Sequence, residues 1–64
     1  MIAPTPTPTA IIERRRAMGL SQRDASALLG MSRRAWAGWE TGERDMPRPL
    51  WTLFLMLTTE RLRD

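Results

Sequence analysis

Two arginines, Arg33 and Arg34, stand side by side at the head of the stretch Ser32-Arg33-Arg34-Ala35-Trp36-Ala37-Gly38-Trp39-Glu40. A guanidinium is a planar fork of N–H donors, and its shape matches a phosphate or the edge of a guanine. If the stretch is helical, Arg33 and Ala37 share a side, as do Arg34 and Gly38, while Trp36 and Trp39 share the other. Two long cationic side chains would then begin the helix, followed by residues with almost no side chain, all backed by tryptophans that read as core. Gly38 costs a helix on the order of 1 kcal/mol against alanine. Either it is a tolerated surface glycine, or that surface needs close approach by something bulky, duplex DNA being one candidate.

Other chemistry is scarce. The chain has no cysteine and no histidine, which excludes disulfides and thiolate metal sites. The carboxylates Glu13, Asp24, Glu40, Glu43, Asp45, Glu60 and Asp64 show no metal-ligand or paired acid–base spacing. Ser21 and Ser32 stand at helix starts, and no glycine-rich phosphate loop is present. The expectation is a protein that is not an enzyme and needs no metal or cofactor. All ten basic residues are arginine, against seven acidic ones, a net charge of +3. That balance permits nucleic-acid binding without requiring it, since an ordinary soluble surface has the same charge. No apolar run reaches the roughly 18 residues of a membrane span, and no secretory signal opens the chain, so a cytoplasmic location is expected.

The elements that must position the arginines follow from caps and periodicity. Residues 1–8, Met-Ile-Ala-Pro-Thr-Pro-Thr-Pro, read as a flexible extended arm. Four helices are expected near 9–18, 21–29, 32–41 and 48–60. The first has Thr7 or Thr9 as N-cap and Gly19 as its stop. Arg15 falls within its apolar stripe of Ile11, Ile12 and Met18 and must find a carboxylate if buried, whereas Arg14 and Arg16 read as a solvated face. The second helix starts at Ser21, with Asp24 completing a capping-box variant, and ends at Gly30. Ala25, Leu28 and Leu29 face inward, Ser26 is small enough for close packing, and Met31 is expected to plug the angle between helices. The third runs from the Ser32 cap to Gly42. A charged turn, Glu43 to Pro47, precedes the fourth.

The fourth helix is apolar nearly all round. Leu50, Leu53, Phe54 and Leu57 form one stripe; Trp51, Leu55, Thr58 and Leu62 form another. A chain of 64 residues makes one small core and can cover only one of them. The second stripe is expected to be the surface of a homodimer, unless the N-terminal arm folds over it.

The features Leu20-Ser21-Gln22, Ala25-Ser26, Leu29-Gly30-Met31-Ser32, Trp36, Trp39-Glu40-x-Gly42 and Pro47 together resemble the lambda-repressor-like (Cro/C1 or XRE type) helix-turn-helix family over roughly residues 9 to 57. The resemblance implies an all-α fold of four to five helices, filling residues 9–64 with a C-terminal dimerisation helix, and the third helix lying in the major groove of double-stranded DNA. It implies base contacts from Arg33, Arg34, Ala37 and Gly38. Gln22, Ser32 and Arg44 would hold the DNA backbone, and Arg15 would pair with Glu40. The tryptophans and the Met-Pro before an apolar last helix are similar to small phage and mobile-element regulators, anti-CRISPR-associated repressors among them.

The function so implied is a sequence-specific, dimeric transcriptional regulator, an autorepressor on an inverted-repeat operator. It would have no small-molecule effector, because no room is left for a separate effector domain. The alternative is an antitoxin or adaptor that offers the apolar face of the last helix to a different protein.

Overall fold

Thr7 adopts extended backbone and its hydroxyl accepts a hydrogen bond from the Ala10 amide at 3.1 Å. That cap, with Pro8 in the first turn, starts α1 (Pro8–Ala17) in a computed structural model that describes the backbone of residues 4–62 and the side chains of residues 4–59. Three more helices follow, α2 (Gln22–Leu28), α3 (Arg33–Thr41) and α4 (Arg48–Leu62), and the described residues include no strand. The all-α, four-helix architecture expected from periodicity is the one observed. Residues 1–3 of the expected arm lie outside the described residues.

The ends of α1 and α2 are closed the same way. After α1, the Gly19 amide donates to the Arg16 carbonyl and the Leu20 amide to that of Arg15. After α2, the Gly30 amide donates to Ala27 and the Met31 amide to Ser26. This paired closure needs a left-handed residue after the cap, and Gly19 and Gly30 supply it at φ 68° and 67°. At the start of α2, Ser21 and Asp24 satisfy each other's amides in a full capping box.

α3 packs against α1 and α2. Trp36 is fully buried, with its ring 4.9 Å from Phe54 and 5.6 Å, edge-on, from Trp39. Trp51 stacks on Phe54 at 6.2 Å. Ile11, Ala25 and Met46 complete the buried core.

Three expectations are corrected by this packing. Met31 is 37 % exposed; Met46, from the turn before α4, is the methionine that fills the core at 1 %. Arg14 is not a solvated side chain but is half-buried and bonded to α4. The stripe assigned to a dimer surface turns inward: Trp51 is 7 % exposed, Thr58 is fully buried and Leu55 packs against the core. Leu62 of that stripe lies outside the described side chains. Among the described residues, the large apolar side chains of α4 that face outward are Leu53 at 40 % and Met56 at 63 %. The physical reason is that Trp51 and Phe54 carry the largest apolar area and take the inner side together, while Arg14 satisfies the Thr58 hydroxyl and so makes its burial possible.

Candidate functional site

Ser32 caps α3 by accepting the Ala35 amide at 3.1 Å, so the helix begins with Arg33 and Arg34, both exposed. Burial of Trp36 and Trp39 on one side leaves Arg34 opposite them and Arg33 on the flank, both exposed. Ala37 is half-buried beside them. The helix start, with its unpaired amides, carries partial positive charge, to which the two arginines add.

Gly38 is not part of the exposed surface. It is buried, and the side chain of Arg44 lies over it: a Cβ at position 38 would stand 3.6 Å from both Cγ and Cδ of Arg44. The Arg44 amide also donates to the Gly38 carbonyl at 3.2 Å. The bulky body that comes close to this glycine is therefore the protein's own arginine. Arg34, Ala37, Gly38, Thr41, Glu43 and Arg44 line a shallow open depression of roughly 210 Å³. Thr41 shapes its floor, donating to the Gly38 carbonyl at 3.1 Å and accepting the Glu43 amide at 3.4 Å. Thr41 and Glu43 carry no motif that would single them out in the sequence. The turn signal after Gly42 marks where the chain bends but not that it folds back along α3.

Behind the exposed arginines sits a polar hub. Glu40 accepts from Arg15 twice, Nε at 2.6 Å and Nη2 at 3.2 Å, from Gln22 Nε2 at 3.0 Å, and from the indole N–H of Trp36. The side chains of Arg15 and Glu40 are only 13 % and 7 % exposed. Burial alone would raise the Glu40 carboxyl. The hydrogen bonds from Arg15, Gln22 and Trp36, with the charge of Arg15, outweigh it and hold the group below its ordinary value. Arg15 is correspondingly raised, chiefly by its hydrogen bond to Glu40.

Gln22, the first residue of α2, has its amide occupied at both ends. It donates to Glu40, and its Oε1 accepts from Arg33 Nη1 at 3.5 Å. Arg33 is thus linked through Gln22 to the buried pair. The structure brings together Arg33, Gln22, Glu40 and Arg15 as one connected series, and Arg34, Ala37, Gly38 and Arg44 as an adjoining surface.

The arrangement presents forked cations on a capped helix with small residues beside them, groups able to hydrogen-bond phosphates and base edges. Among the described residues, no cluster of acidic groups could hold a metal ion, and no helix is long and apolar enough to cross a membrane.

A family model described as a helix-turn-helix domain matches residues 12–56, well over half of the chain. The match begins within α1, covers α2 and α3 entirely and ends within α4. Among curated proteins, none matches the chain.

Proposed function

The chain belongs to the helix-turn-helix family of the lambda-repressor type and is a DNA-binding regulator, and from that premise we propose that it works as a homodimeric repressor on an inverted-repeat operator. The observation that carries the reading is the exposure of Arg33 and Arg34 at the start of a tryptophan-backed α3. In the major groove each guanidinium can read guanine O6 and N7 through two hydrogen bonds, about 1–3 kcal/mol of discrimination per good pair. Half-sites should therefore contain G·C pairs. Ala37 leaves room beside Arg33 and Arg34 for the bases. Ser32 and Arg44 face the phosphates, whereas Gln22, expected beside them, has its side-chain amide engaged by Glu40 and Arg33. Gly38 acts by accommodating Arg44.

The second copy docks on the outer side of α4. Pro49, Leu53 and Met56 recur there at helical spacing and are exposed. These three side chains are uncharged, so they can meet their own copies across a two-fold axis without like-charge repulsion. Such a dimer places two α3 helices in successive major grooves, about 34 Å apart, and would block polymerase at an overlapping promoter, its own included.

The test is selection of bound duplexes from a random pool, followed by gel shifts with Arg33→Ala and Arg34→Ala. A recovered palindrome whose G·C positions lose discrimination in one or both variants supports the reading; undiminished discrimination in both defeats it. Sedimentation of the purified chain separates the alternative. A symmetric dimer supports the repressor, and a chain that assembles only with a different protein favours an antitoxin or adaptor.

A further inference from the structure

Two consecutive arginines of α1 grip two different helices. Arg15 holds Glu40 of α3 at 2.6 Å. Arg14 reaches the other way: its Nε donates to Thr58 Oγ1 at 2.9 Å, and its Nη2 donates to the Leu55 carbonyl at 3.3 Å and to Thr59 Oγ1 at 3.1 Å. The Thr58 hydroxyl, fully buried, donates onward to the Phe54 carbonyl at 2.7 Å. These bonds lie beyond the Trp51–Phe54 stack that fixes the first half of α4.

The position of this clasp on α4 is specific. Leu55 lies two residues from Leu53, and Thr58 two from Met56, each pair about 200° apart around an α-helix, while Thr59, three residues from Met56, lies nearer the apolar patch. Arg14 therefore holds α4 on the side away from Leu53 and reaches, through Thr59, to the margin of the apolar patch. Apolar packing is non-directional and lets a helix roll or tilt over a smooth core. A planar fork bonded to two hydroxyls and a carbonyl does not, because hydrogen bonds weaken steeply with angle. Since Arg14 and Arg15 share one turn of α1, that turn fixes the outer face of α4 relative to α3.

We infer that Arg14 is a positioning residue for half-site spacing: it sets the direction of the dimerisation face against the DNA-reading helix, and so the separation of the two α3 helices in the dimer. The inference rests on the homodimer reading above. A dimer must match one turn of duplex, about 34–36 Å between half-site centres, and a small roll of α4 is carried through the two-fold axis to both reading heads.

The experiment measures binding of the wild type, Arg14→Met, Arg14→Lys and Thr58→Val to inverted repeats whose separation varies one base pair at a time, and to an isolated half-site. Circular dichroism and sedimentation monitor fold and dimer. The wild type should favour one spacing sharply. Arg14→Met and Thr58→Val should bind the half-site within about twofold of wild type, since the clasp joins α1 to α4 and includes no residue of α3. Both should bind about tenfold more weakly at the best spacing as simultaneous engagement is relaxed, and spread over neighbouring spacings. Arg14→Lys should recover part of the preference. A clasp that merely stabilises the fold would instead weaken the half-site and every spacing together, which overturns the inference. So does an Arg14→Met dimer with the wild-type optimum unchanged. A wild type that binds half-sites singly at every spacing sinks the dimer reading, and the inference with it. If Arg14→Met does not fold, Thr58→Val, which keeps the side-chain shape, decides the matter.

Discussion

Arg44 lies lengthwise over Gly38, its Cγ and Cδ at ordinary van der Waals distance, 3.6 Å, from where a methyl group would stand. An alanine at 38 therefore fits beneath it. Gly38→Ala should stabilise α3 by about 1 kcal/mol, the helix-propensity difference, read as a higher melting temperature with DNA binding retained. Gly38→Leu reaches past that distance and must push Arg44 off α3. It should weaken operator binding in a gel shift while leaving the helix content intact.

Arg44 can also be separated from Arg33 and Arg34 by salt. If it holds a phosphate, Arg44→Gln should lower the slope of log K against log salt by about 0.9, the share of a single neutralised phosphate, uniformly across DNA sequences. Arg33→Ala and Arg34→Ala should change the sequence ranking instead. An unchanged slope in Arg44→Gln would remove it from the phosphate-binding residues.

The outward and inward sides of α4 predict opposite phenotypes. Leu53→Glu and Met56→Glu replace exposed apolar groups and should shift sedimentation from dimer to monomer with little loss of helix. Trp51→Ala removes a buried ring stacked on Phe54 and should cost about 3–5 kcal/mol of folding stability. A dimer that survives both glutamates would place the interface elsewhere.

Glu40 makes the fold acid-sensitive. Its carboxyl is held below the ordinary value of 4.5 in the folded chain, so the unfolded chain binds a proton more readily. The stabilisation is fully present above pH 4.5 and is lost as pH falls through the lower, folded value. Arg15 is raised further above its already high ordinary value by the hydrogen bond to Glu40, so its part is lost only in strong alkali. Glu40→Gln leaves Arg15 buried without its counter-charge, at a cost of about 3–5 kcal/mol. A domain of this length has total stability of roughly 3–10 kcal/mol, so the variant should be largely unfolded or melt far lower. Wild type and a folded Glu40 variant with identical acid-unfolding midpoints would contradict the assignment.

Much of this molecule is legible in its order of residues because the signals are local. Thr7, Ser21 and Ser32 cap helices through amides three residues away, and Gly19 and Gly30 end them through the left-handed backbone that only glycine adopts cheaply. Helix number, their limits and the outward pair Arg33 and Arg34 follow from such caps and from the tryptophan spacing on α3. The need of Arg15 for a carboxylate is also local, a cation set in an apolar stripe. Periodicity could not decide which side of α4 faces inward, because that helix is apolar almost all round and both stripes satisfy the same pattern. Partners far along the chain made the choice: Trp36 receives Phe54, and Arg14 receives Thr58, 44 residues away. The same long-range packing chose Met46 over Met31 for the core, drew Gln22 into the Glu40 hub and laid Arg44 over Gly38. A helix states its own faces through the residues a turn apart, but what each face meets is settled only when the other helices arrive.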